Sequence, residues 1–169
     1  MAIRSRLLAA AAFSSISLAG VAAYAQWASA SLPNTFTTLA GRWSGHGTVK
    51  PASGPAESFK CVVTYIPQGS SAQLKQNLRC KSANYKLDAA THLELRGEKV
   101  VGRWQDNIYV GLNGTVAGVV KDGGFDVVLS GQFFTAKMTV VGSGCKQSVT
   151  VTPVRADYIR EVSASLTKC

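Results

Sequence analysis

An all-β fold, an antiparallel up-and-down (meander) β-barrel of about 8–10 strands, is what this chain predicts, and three observations predict it. Runs rich in β-branched and aromatic residues recur at hairpin spacing, with Gly, Ser, Asn and Asp between them. Apolar and polar side chains alternate within the runs, and no helical period is convincing after residue 39. The connections are short throughout, so successive strands pair as neighbours, and that many strands in one small domain are most easily accommodated by closing the sheet.

The elements follow in order. Residues 1–25 read as a secretory signal peptide: Arg4 and Arg6 form the basic start, Leu7 to Ala23 the apolar run, and Ala23-Tyr24-Ala25 the small-residue cleavage site before Gln26. The run is shorter than the roughly 20 apolar residues that span a bilayer as a helix. A periplasmic or secreted protein, cleaved after Ala25, is therefore expected. Cleavage would leave 144 of the 169 residues and lower the formal charge from +9 to +7, because only Arg4 and Arg6 depart. Residues 26–39 look like an irregular N-terminal arm with one short turn, and 40–169 form the barrel domain. The candidate strands are 41–49, 57–66, 73–81, 85–96, 99–106, 108–120, 124–131, 133–141, 145–153 and 157–168, and PASGP, QGSS, RGEK, KDGG and GSG mark turns between them.

Alternation assigns the faces. Phe59, Cys61, Val63 and Tyr65 share one parity, as do Leu74, Leu78 and Cys80; Tyr85, Leu87, Ala89, Leu93 and Leu95 continue the apolar lining. The motif GRW occurs twice, at 41–43 and 102–104. Inward parity in the first strand carries Gly41, Trp43, Gly45, Gly47 and Val49, and in the later one Gly102 and Trp104. The glycines allow the strand to bend, and a large indole beside missing side chains either plugs a small barrel, with the glycines serving curvature, or leaves room along its axis.

Four cysteines in an exported chain predict disulfides. Cys61 and Cys80 lie symmetrically about the predicted turn at Ser70–Ser71 and share the inward parity, so antiparallel neighbours bring them face to face. Cys145 and Cys169 lie symmetrically about Asp157 but on opposite parities; either a bulge or a frayed end joins them, or Cys169 is a free thiol.

Little in the sequence points to catalysis. His46 and His92 fall on outward parities of different strands, so no metal site and no cofactor are expected. No carboxylate pair, nucleophile elbow or phosphate-cradling loop occurs, and a non-enzymatic protein is expected. The basic charge favours anionic partners, but the aromatics lie on the apolar parity and not among the basic residues, which argues against a nucleic-acid stacking platform. The outer parity carries Lys60, Lys75, Arg79, Lys81, Lys86, Glu94 and Lys137. An outer-membrane barrel would need an apolar outer face there, so a monomer that does not span a membrane is expected.

LAGRWSGHG, following a short arm and followed by a meander, resembles the opening Gly-x-Trp of the lipocalin and wider calycin barrels. The resemblance implies a calycin-like barrel with an interior ligand site. It also implies a basic side chain from the last strand packed on the Trp, for which Arg160 has the parity. The order GRWSGHGTV, FKCVVTY, LKQNLRCKS and LRGEKVVGRW is similar to a group of uncharacterised exported proteobacterial proteins. Two functions are expected on this basis. In the first, a small apolar or amphipathic ligand sits inside against Trp43, Tyr65, Tyr85 and Trp104, with Gly45 and Gly47 leaving the space. In the alternative, a filled barrel works through its basic surface on an anionic envelope component or a protein.

Overall fold

The computed structural model describes residues 35–155 and 158–169, which belong to one unit running from Ser31 to Cys169. The leader assigned to 1–25 and the arm before Thr35 lie outside the described residues. A five-residue helix, α1 (Thr35–Leu39), leads into ten strands: β1 (Gly41–Pro51), β2 (Glu57–Gln68), β3 (Ser70–Lys81), β4 (Lys86–Arg96), β5 (Lys99–Asp106), β6 (Asn113–Lys121), β7 (Gly124–Gly131), β8 (Thr135–Ser143), β9 (Lys146–Arg155) and β10 (Ile159–Thr167). Each strand pairs antiparallel with the next, and β10 returns to β1 with Gly45 opposite Leu166 and Val49 opposite Val162. The sheet is a closed up-and-down barrel, and closure leaves no unpaired strand edge.

The two ends of the barrel differ in their connections. At one end β2–β3, β4–β5, β6–β7 and β8–β9 are joined by one- or two-residue turns, each containing a glycine with positive φ: Gly69, Gly97, Gly123 and Gly144. A left-handed backbone in a tight hairpin is what glycine permits without a Cβ clash. The longer loops, 52–56, 82–85, 107–112 and 132–134, gather at the other end. The short-turn end also receives α1 and the C-terminus.

That short-turn end is sealed. Phe36, Leu39, Trp43, Val63, Leu74, Val100, Val116, Phe125 and Val140 are almost wholly inaccessible there and form the core. Trp43 donates from Nε1 to the Leu39 carbonyl at 2.7 Å, satisfying a helix-end acceptor that would otherwise be buried without a partner. Lys168 Nζ stands 4.8 Å from the centroid of the Trp43 ring and donates to the Thr38 carbonyl at 2.9 Å. It thus combines a cation–π contact with a helix C-terminal cap.

Both disulfides form. Cys61 and Cys80 are register partners on β2 and β3, with Cα atoms 4.1 Å apart. Cys145, in the β8–β9 turn, bridges Cys169, which lies beyond the end of β10, at a Cα separation of 5.4 Å. The parity mismatch disappears because neither residue of the second pair is within a strand. No free cysteine remains, and two bridges fit an oxidising compartment.

Ten strands were expected and ten are present, with one substantial shift. Residues 108–112 do not extend β6; they form a loop in which the Asp106 carboxylate accepts from the amides of Ile108 and Tyr109 at 2.7 and 2.8 Å. This turn chemistry overrides the β propensity of Ile-Tyr-Val.

Candidate functional site

Inward side chains of β2, β3 and β7–β10 surround a cavity of about 350 Å³. Its wall is almost entirely hydrocarbon: Phe59, Leu78, Met138, Val149, Val162 and their neighbours, together with the Cys61–Cys80 bridge. Tyr65 and Gln76 are the polar residues deepest in it. The volume falls at the lower end of the roughly 300–1,000 Å³ usual for small-molecule sites. The lining includes Leu87 and Tyr158, which are 40% and 65% exposed, so the cavity reaches the long-loop rim.

The polar groups of the interior are only partly paired. Tyr65 Oη donates to Gln147 Oε1 at 3.4 Å, a long bond, and burial pushes the phenol far above its ordinary range while that hydrogen bond pulls weakly the other way. Gln76 Oε1, Gln147 Nε2 and Trp104 Nε1 are buried with no hydrogen-bond partner among the described residues. Gln76 falls on the same parity as Leu74, Leu78 and Cys80. A glutamine interrupting an apolar face was the signal that could have marked it.

The four residues expected to contact a ligand separate. Tyr65 is on the cavity wall. Trp43 is not; at 1% exposure it is the plug of the sealed end. Trp104 does not line the cavity; it lines a second concavity beside β4 and β5, its ring 5.2 Å from that of Phe134, which does line the cavity. Tyr85 is 68% exposed, in a turn before β4 where its amide donates to Ser82 Oγ and its carbonyl accepts from the Ser82 amide. The turn removes it from the strand parity.

The supporting residues also need correction. Gly41 has φ 117° and is exposed; it turns the chain from α1 into β1 and opens no interior space. Gly45 and Gly47 do face inward, but the room they leave is already taken. A Cβ on Gly45 would strike the Ser165 carbonyl oxygen of β10, and one on Gly47 would strike the Phe59 ring and the Ser163 carbonyl oxygen. The missing side chains allow the neighbouring strand to coil closely against β1 and seat Phe59. Arg160 is exposed, because the β1–β10 register shifts at Lys50/Pro51: Pro51 pairs with Ile159 and Lys50 with Glu161, leaving Arg160 unpaired between them. Lys168, eight residues on, covers the Trp instead.

A larger concavity of about 1230 Å³ lies on the outside of β4 and β5, beside His92, Arg103, Gln105 and the 107–112 loop. Its lining mixes polar and apolar groups, whereas the interior cavity is almost wholly apolar, and the latter is the candidate site. Among the described residues no group of three or more His, Cys, Asp or Glu side chains is placed to hold a metal ion, and no helix is long and apolar enough to cross a membrane.

Solved structures with the same architecture exist. The crystal structure of Rv2717c from M. tuberculosis is similar with a TM-score of 0.64 at 13% identity, covering 82% of this chain and 99% of that one. The S-type phycobiliprotein lyase CPES from Guillardia theta is similar with a TM-score of 0.57 at 10% identity, covering 79% of this chain and 90% of that one. At these identities the likeness is one of fold, a calycin-like closed barrel. No family model matches the chain, and no curated protein matches its sequence.

Proposed function

We propose that this chain is an exported binding protein that holds a small apolar or weakly amphipathic molecule inside the barrel. The observation that carries the reading is the cavity of about 350 Å³, apolar-walled and reaching the long-loop rim. Burying hydrocarbon there yields roughly 25 cal/mol per Å² removed from water, and the unpartnered amide oxygen of Gln76 lies beside the same wall. Export rests on the leader-like residues 1–25 and accords with the two disulfides.

Binding without chemistry is favoured by the composition of the wall. The buried phenol of Tyr65 is held neutral far above neutral pH, and glutamine neither gives nor takes a proton, so neither of these two deep polar groups is tuned for acid–base work. The Guillardia neighbour is named a lyase, which is precedent for an enzyme name on this fold. The same barrel resemblance, and that to exported proteobacterial proteins, bears on architecture and export.

Native mass spectrometry of the mature protein from its own envelope, compared with its denatured mass, tests the reading directly. Added mass that vanishes on denaturation is expected. As a second arm, 1-anilinonaphthalene-8-sulfonate should bind the wild type with a fluorescence gain that Ala164→Phe, which fills the cavity, abolishes. Equal dye binding by a folded Ala164→Phe protein, with no bound mass in the wild type, would overturn the proposal.

A further inference from the structure

The long-loop rim combines two features that a freely dissolved barrel has no use for. The first is apolar. Ile108, Tyr109 and Val110 at the β5–β6 loop, Phe133 at the β7–β8 loop, and Tyr85 and Tyr158 on two further connections all present large side chains to solvent, with Val110 fully exposed and Phe133 65% exposed. Of these residues Tyr158 lines the cavity, and the others stand on connections at the same end of the barrel.

The second feature is basic. Lys60 is the register partner of Lys81, and Lys81 of Lys86, which places three lysines side by side across β2, β3 and β4. Lys81 and Lys86 flank the turn that carries Tyr85, and Arg155 ends β9 at the same rim. Like charges directly opposite one another destabilise a sheet, and no described carboxylate relieves these. The acids nearby are committed elsewhere. Glu57 accepts from the backbone and side-chain amides of Asn84, Asp88 from Arg79 and Asn107, Asp106 from its own loop, and Glu161 from Lys50. Among the described residues Lys60, Lys81, Lys86 and Arg155 have no ionic partner.

We infer that this rim docks on an anionic phospholipid bilayer. The apolar and aromatic loop tips enter the headgroup layer, where Tyr and other amphipathic rings are favoured. The lysine row and Arg155 face the lipid phosphates, and the cavity mouth is held against the membrane surface. Charge complementarity selects this partner: the row supplies what an anionic surface neutralises, and the apolar tips match the layer beneath the phosphates. Docking does not depend on what the cavity holds, so it stands or fails separately from the ligand proposal.

Vesicle co-sedimentation of the mature protein tests the inference. Binding is expected to phosphatidylcholine vesicles containing phosphatidylglycerol, to weaken with salt, and to be lost on phosphatidylcholine alone. Replacing Lys60, Lys81 and Lys86 with Gln should lower the partition coefficient about a hundredfold. The same loss of charge at the sealed end, with Lys75, Lys99 and Lys146 replaced by Gln, should leave it unchanged. Tyr109→Ser with Val110→Ser and Phe133→Ser, all exposed and so neutral to folding, should also release the protein. Ala164→Phe should still bind, whatever its effect on the cavity. Absence of binding to anionic vesicles, equal binding to neutral ones, or equal losses from the two lysine triples would overturn the inference.

Discussion

Replacing Gln76 with Leu should make the protein more stable. Gln76 is 8% exposed, and its Oε1 has no donor within reach. A buried acceptor left without a partner costs about 1–3 kcal/mol, and a leucine of similar size removes that cost while adding hydrocarbon to an apolar wall. In a domain of this size a kilocalorie moves the melting temperature by about 2–4 °C, so Gln76→Leu should raise it by roughly 3–8 °C. The assay is thermal unfolding followed by circular dichroism, with both disulfides verified intact by mass. Gln76→Ala serves as the control, because it removes the same oxygen but leaves a void and should not stabilise. A melting temperature for Gln76→Leu at or below that of the wild type would refute the reasoning, since it would mean the amide is satisfied in solution. A higher one would mean that the wild type carries an unmet group for a reason other than stability, and the proposed reason is a ligand with a polar end.

Tyr65→Phe leaves Gln147 Oε1 without its donor and should destabilise by about 1 kcal/mol, the low end of such losses because the bond is 3.4 Å long. The fold holds the phenol neutral beyond its ordinary value of 10.0, so its contribution is complete below pH 10 and declines as the pH rises further. Urea midpoints should therefore fall above pH 10 at up to about 1.4 kcal/mol per unit in the wild type and more shallowly in Tyr65→Phe; equal slopes would contradict the assignment. Gly47→Ala should cost about 1–3 kcal/mol because the new methyl meets the Phe59 ring and the Ser163 carbonyl, whereas Gly45→Ala tolerated without loss would show that β1 and β10 are not so closely apposed. Cys169→Ser opens a bridge of sequence separation 24, worth about 3 kcal/mol by chain entropy, and frees Lys168 from the Trp43 ring. Tryptophan emission should shift to the red, and an unchanged spectrum would mean that the plug does not depend on the staple.

The sequence carried the architecture well because the barrel is written in local alternation. Ten runs, their turn glycines and the Cys61–Cys80 pairing are all period-two or turn signals, and all ten strands and the pairing are present. The candidate site was less legible, because alternation equates apolar with inward. Tyr85 and the Ile108-Tyr109-Val110 run break that equation: they are apolar and exposed, placed by the turns of Ser82 and Asp106 at the rim. Arg160 was lost to a bulge whose position depends on how β1 and β10 meet, two strands at opposite ends of the sequence. The cavity itself could not be read at all, since volume depends on how β2, β3 and β7–β10 curve toward one another, and Gly45 and Gly47 turned out to serve that curvature.

The pairing of the first strand with the last sets a condition on how the molecule is made. The Cys61–Cys80 disulfide joins adjacent strands of one hairpin and can close as soon as that hairpin exists. The β1–β10 seam cannot. Gly45 waits for Leu166, and Lys50 for Glu161, so the seam is missing until nearly the whole chain has been delivered. Until then β1 is an unpaired edge able to recruit a strand from another copy. The final strand is thus a latch, and removing it should trap a nearly complete, sticky open sheet that keeps only the Cys61–Cys80 bridge.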